Sequence, residues 1–123
     1  MRLNDITGEI IRAAMRVHSA LGPGLLESAY RTCLCHDLAQ RGLQARTELP
    51  LPVVYDGARV EAGYRIDLLV AETVIVELKT VSKLMPVHHA QLLSYLRLSR
   101  LPVGLLINFH VSRLRDGIKR IVN

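Results

Sequence analysis

Tyr64-Arg65-Ile66-Asp67-Leu68-Leu69-Val70, then the short connection Ala71-Glu72-Thr73, then Val74-Ile75-Val76-Glu77-Leu78-Lys79, read as two β-strands joined in a hairpin. Alternate residues of a strand share a face, so Glu77 and Lys79 point one way while Val76 and Leu78 point the other, into a core. A turn centred on Glu72 sets Asp67 directly opposite Glu77, with Cβ atoms roughly 4.5–5.5 Å apart. Two facing carboxylates destabilise a sheet unless something positive sits between them. A hard divalent cation is the natural occupant, and magnesium takes carboxylates with waters and phosphate oxygens as further ligands. Lys79, beside the pair, could position or deprotonate a water, or stabilise charge on a phosphate. The spacing also allows a second reading, in which Lys79 neutralises two acids on a solvated sheet face.

Around this hairpin the chain alternates helix and strand signals. Ile10, Ala14, Val17 and Leu21 recur at helical spacing, which predicts a helix over Thr7–Ala20 with Thr7 as its cap and Gly22-Pro23-Gly24 as its stop. A second helix is expected from Leu25 to Arg41, with Leu26, Tyr30, Cys33, Leu34 and Leu38 as its apolar stripe. Glu27 falls in line with that stripe, where a carboxylate is costly unless paired or bound to metal. Arg46–Tyr55 reads as an edge strand, because Pro50 and Pro52 cannot donate to a ladder, and Asp56-Gly57 is a hairpin turn. The strands Arg59–Val70 and Val74–Lys79 follow. A helix opens at Pro86, a good first-turn residue, and runs to Ser99. Gln91 and Tyr95 share one of its faces. Val103–Phe109, apolar throughout, reads as a central strand, and Ile118–Val122 as a last short one. The order predicts a mixed α/β layout with the sheet between helices.

The 123 residues suit one domain, 1–123, able to bury a core without staples. The net charge of +5 and pI of about 9.7 favour a polyanionic partner. Cys33 and Cys35 lie on different faces of a helix and form no metal-binding motif, as expected for packing cysteines in a reducing cytoplasm. Asn4, Asp5 and Glu9 interrupt the start, so no signal peptide is expected. The longest apolar runs, such as Leu101 to Phe109, are too short to span a bilayer, so no membrane partner is expected. His18, His36 and His110 have no partner at ligand spacing; His88 could share the face of Gln91 and touch substrate, but reads better as an exposed first-turn residue. Few aromatics are present, which argues against a base-stacking platform. Arg113, Arg115, Lys119 and Arg120 make the tail basic, and with Lys83 they are candidate nucleic-acid contacts; a solvated end is the other reading.

Gly24-Leu25-Leu26-Glu27-Ser28-Ala29-Tyr30 resembles the signature of the GxxExxY family. The run from Ala14 to Pro23 is similar to that family's first helix. Leu106-Ile107-Asn108-Phe109, with Arg115-Asp116-Gly117-Ile118-Lys119-Arg120, is similar to its tail, so the resemblance covers nearly the whole chain. It implies the PD-(D/E)xK nuclease superfamily and a restriction-endonuclease-like mixed sheet flanked by helices, ααβββαβ with a final short strand. In that superfamily an Asp on one strand and a Glu-x-Lys on the next bind magnesium and cut phosphodiesters, which matches Asp67 and Glu77-Leu78-Lys79. Ile66 stands where the loose pattern has proline, a position that is not a ligand. Some branches add a helix-borne Glu and a Gln-xxx-Tyr, which match Glu27 and Gln91 to Tyr95.

The resemblance and the residues together imply a nuclease that cuts DNA with magnesium, or manganese as a substitute. Asp67 and Glu77 would be the main ligands and the Leu78 carbonyl a third. Glu27 would bind the metal or orient a water beside it, Lys79 would serve the attacking water and the phosphate, and Gln91 and Tyr95 would fix the lysine or touch the phosphate backbone. So short a chain has little surface for sequence recognition, so a homodimer or protein partner is also implied. The alternative is a binding or regulatory module that keeps the fold without cutting.

Overall fold

The computed structural model describes residues 1–123. Helix α1 (Leu3–Leu21) buries Ile6, Ile10, Ala13, Ala14 and Val17 along one stripe. It begins four residues before Thr7, because the Asp5 carboxylate accepts the Arg2 backbone N–H at 3.3 Å and caps the first turn. Thr7 is buried inside the helix, its hydroxyl donating to the Asn4 carbonyl. Gly22, at φ 69°, ends the helix in a conformation that suits a residue without Cβ.

Helix α2 (Glu27–Gln40) buries Tyr30, Leu34 and Leu38. Leu26, expected in that stripe, is 77% exposed: it is the extended N-cap residue, outside the helical period. Tyr30 stacks on Phe109 with ring centroids 4.4 Å apart. Its hydroxyl donates to the Gly22 carbonyl and accepts from the Leu25 N–H. These contacts fasten the α1–α2 turn to the end of the sheet and set where α2 begins.

The strands lie in sequence order: β1 (Ala45–Tyr55), β2 (Ala58–Val70), β3 (Val74–Lys79), β4 (Val103–Asn108) and β5 (Ile118–Val122). Only β3 and β4 pair in parallel, and helix α3 (Pro86–Ser99) makes the crossover between them. β1 is an edge strand, as its prolines require. Asp56 and Gly57 both have positive φ, the conformation of a two-residue hairpin turn. β3 rather than β4 is the central strand. β4 is nonetheless buried along its whole length, because side chains on both its faces are covered: Leu105 and Ile107 on one, Leu106 on the other.

One core lies between α1, α2 and the sheet and includes Leu68, Val76, Leu78, Leu105 and Ile107. A smaller one lies under α3, with Ile75, Leu92, Leu96, Leu106 and Ile121. Gly104 brings α3 close to the sheet: a Cβ there would stand 2.9 Å from a Leu92 methyl and 3.2 Å from the Ile75 carbonyl. The first hairpin is irregular in two places: its register shifts between Leu51 and Val53, and the covered face changes nearer the site. Leu68 belongs to the first core and Ile66 to the second, although both are even-numbered residues of β2. The β1–β2 pairing skips from Thr47↔Leu68 to Leu49↔Ile66, and Glu48, opposite the skipped Asp67, has φ 50°. The covered face thus changes across Asp67, and the outer hairpin packs on the α3 side through Leu49, Leu51 and Ile66.

Candidate active site

The turn after β2 puts Ala71 and Glu72 at positive φ and pairs Val70 with Val74, Leu69 with Ile75 and Leu68 with Val76. That register is centred on Glu72, as expected, and it brings Asp67 level with Glu77. The backbone ladder stops one step short of them. In its place the Glu77 carboxylate accepts the Asp67 backbone N–H at 2.8 Å, and the Asp67 carboxylate accepts the Leu78 N–H at 2.8 Å. Each acid is thus held by the other's strand through one oxygen. The two carboxyl groups also lie within hydrogen-bonding reach of each other, so a proton on Glu77 is shared with Asp67, and neither group is sealed from solvent with an unsatisfied oxygen. The N–H and C=O of a strand residue point to the same edge, so the Leu78 carbonyl also looks past the end of the ladder, towards β2.

This is not a solvated sheet face, for Glu77 is only 4% exposed. Nor does Lys79 neutralise the acids by contact, since none of the ion pairs involves Asp67, Glu77 or Lys79. The Lys79 ammonium instead lies 3.5 Å from the Gln91 side-chain oxygen. Burial pushes the Glu77 carboxyl up to about 8, and the facing Asp67 charge pushes the same way. Asp67 is also raised by burial, against the pull of the Leu78 N–H. The pair resists holding two negative charges without a cation, as close carboxylates do.

Helices supply the rest. Glu27 is the first residue of α2 and half-buried; burial and then Asp67 raise its pKa, while Lys79 and Arg31 lower it. Gln91 and Tyr95 both face the sheet from α3, Gln91 half-buried and Tyr95 5% exposed. Burial, then the charges of Glu77 and Asp67, push the Tyr95 phenol up to about 12, so it remains a hydrogen-bond donor. No three His, Cys, Asp or Glu side chains gather closely enough to hold one ion, so Glu27 does not join Asp67 and Glu77 as a third close ligand in this conformation. Two facing carboxylates still suit magnesium, which commonly keeps waters and takes one or two carboxylates plus substrate phosphate.

The basic residues do not form one strip. Lys83, Arg113, Arg115, Lys119 and Arg120 are all exposed. Lys119 and Arg120 are strand neighbours and so face opposite sides of β5. Arg120 donates to the Asn4 side chain at the start of α1, whereas Lys119 and Lys83 line a common cavity of about 250 Å³ with Asn108 and Asp116. His88 is not idle: its ring nitrogen accepts the Met85 N–H at 2.8 Å and caps α3.

Two residues near the site escaped the sequence reading. Arg31, one turn after Glu27, pairs with Glu48 at 3.1 Å and lowers the pKa of both Glu27 and Asp67; its spacing from Glu27 was the available signal. Asn108, level with Lys79 in the parallel pairing, binds Val81 through both its amide nitrogen and its oxygen and so ties down the chain just after the lysine.

Among known families, the model of the PD-(D/E)XK nuclease superfamily matches residues 4–121. No curated protein and no solved structure matches the chain. The five-stranded mixed sheet between helices agrees with the restriction-endonuclease-like fold of that superfamily. No helix is long and apolar enough to cross a membrane.

Proposed function

The chain belongs to the PD-(D/E)XK nuclease superfamily, and from that premise we propose that it hydrolyses phosphodiester bonds in DNA, using magnesium held by Asp67 and Glu77. The observation that carries this reading is the reciprocal clamp where β2 and β3 part. Each carboxylate is fixed by the opposite backbone, and the two carboxyl groups face each other, so a cation between them replaces the proton they share. Such preorganisation limits the reorganisation needed when charge develops. The Leu78 carbonyl oxygen, on the same edge, would be a third ligand to the metal. Magnesium supplies Lewis acidity towards the phosphate and an activated water.

The chain's own groups then divide the remaining work. Lys79 sets its positive charge against the phosphate oxygens as negative charge builds on them. Gln91 restrains the lysine side chain, and the Tyr95 phenol, kept protonated, donates to the phosphate. Glu27, half-buried at the start of α2, orients water at the site's edge. Lys83 and Lys119 hold the flanking backbone by charge, consistent with the net +5.

Nuclease assays on single-stranded, duplex and branched DNA, with magnesium or manganese and with chelator, test this. The expected result is metal-dependent cutting that Lys79→Ala lowers by roughly two to three orders of magnitude. DNA binding indifferent to chelator, with no cutting in either metal, would establish the non-catalytic binding module instead.

A further inference from the structure

A cavity of about 400 Å³ opens between α3 and the outer part of the first hairpin, lined by Tyr64, Val87, Gln91, Ser94, Tyr95 and Leu98 among others, none of them charged. It shares a wall with the site: Gln91 both lines it and approaches Lys79, and Tyr95 both lines it and feels the charges of Glu77 and Asp67. The Tyr64 and Tyr95 rings meet there, tilted, with centroids 6.0 Å apart. Tyr95 is almost fully buried, but Tyr64 is 44% exposed, so part of its ring is left uncovered. Tyr64 lies on the same face of β2 as Ile66, the face that packs on the α3 side beyond Asp67.

The chemistry of the two compartments is complementary. The cavity lining offers a phosphate no cation, whereas the adjoining site has Lys79. The cavity can take an uncharged, flat, partly apolar group, with Ser94, Gln91 and the Tyr95 hydroxyl available to its polar edge. A nucleotide is such a pair of groups on one covalent frame. We propose that this cavity holds an unpaired nucleobase, stacked on Tyr64, of the same strand whose phosphate lies at Lys79; this rests on the nuclease reading above. The preferred substrate is therefore a single strand, a frayed end or a flipped nucleotide, since a base paired in a duplex cannot enter. Few aromatics are needed for this, because one ring beside the scissile phosphate suffices to hold one base.

The test uses the whole protein and a single-stranded oligodeoxynucleotide, intact or carrying abasic sites. Affinity is measured with calcium present, and cutting with manganese. The wild type should bind the intact strand roughly tenfold more tightly, within the range of base–aromatic stacking. Tyr64→Ala, at an exposed position, should bring the two affinities together, and Ala90→Trp, at the cavity wall, should do the same by filling it. Tyr64→Phe, which keeps the ring, should retain the difference. Glu77→Gln should lose cutting and keep the difference. Equal affinity of the wild type for both strands overturns the base cavity even if the protein cuts. A difference that survives both Tyr64→Ala and Ala90→Trp overturns it too, since the base then sits elsewhere. A difference that vanishes in those two variants, in a protein that never cuts, upholds the cavity and removes the nuclease reading instead.

Discussion

The two faces of β3 share one backbone and serve opposite purposes. Val74, Val76 and Leu78 point into the core under α1 and α2, each fully buried and packed on apolar neighbours. Ile75 begins the other face in the same way, but Glu77 and Lys79 complete it with ionisable groups under α3. The first face gains from burial. The second is burdened by it, since a carboxylate 4% exposed opposite another carboxylate is held above its ordinary pKa. A strand can carry such a cost because its neighbouring residue, one step away and on the opposite face, anchors it.

Crossing a variant of each face separates the two roles. On the nuclease reading, Glu77→Gln should lower metal-dependent cutting by roughly a thousandfold. It should leave the fold intact, because the amide oxygen can still accept the Asp67 N–H. Leu78→Ala removes a side chain with no exposure and should cost about 2–5 kcal/mol of stability, read by denaturant unfolding. If Glu77→Gln unfolds the protein as readily as Leu78→Ala does, the division between faces is wrong.

The metal response is the next largest effect. A cation that binds only the folded state stabilises it by mass action. Manganese or magnesium should therefore raise the melting temperature at neutral pH, and Glu77→Gln should weaken the rise. The same response in both proteins would show that Glu77 is not a ligand.

The pH dependence without metal follows from the raised Glu77 value. The folded state keeps this proton up to about pH 8, while the unfolded chain releases it near the ordinary 4.5. Its contribution to stability is therefore fully present below the lower value and is lost as pH rises towards the upper one. Melting temperature should fall over that interval, and the fall should be shallower in Glu77→Gln. A slope unchanged by the substitution would place the titration elsewhere.

The smallest effect is expected at Gln91, whose contact with Lys79 is long at 3.5 Å. Gln91→Ala should reduce cutting by about tenfold, the worth of one modest hydrogen bond, with little change in melting temperature. A loss as large as that of Lys79→Ala would give Gln91 a direct part in the chemistry.

Much of this was legible in the residue order. The three residues between Val70 and Val74 centre the turn on Glu72, and a period of two then levels Asp67 with Glu77 and puts Lys79 on the same side. The same period already separates Lys119 from Arg120, which the basic composition of the tail obscured. The start of α1 was misplaced because the Asp5 cap lies ahead of the first strongly periodic residues. Leu26 was misplaced because a cap residue does not share the helix's phase.

Local order thus determined the strands, their phase and the identity of the acids, since turn length and alternation act over a few residues. Tertiary structure decided three other matters. The backbone ladder ends just before the acids and leaves their carboxylates to complete it. Gly104 lets α3 approach closely enough to bring Gln91 beside Lys79. The change of covered face across Asp67 brings Tyr64 to Tyr95, far along the chain. Each depends on the closeness of segments remote in sequence, and neither period nor composition of either segment records how near the other will pack.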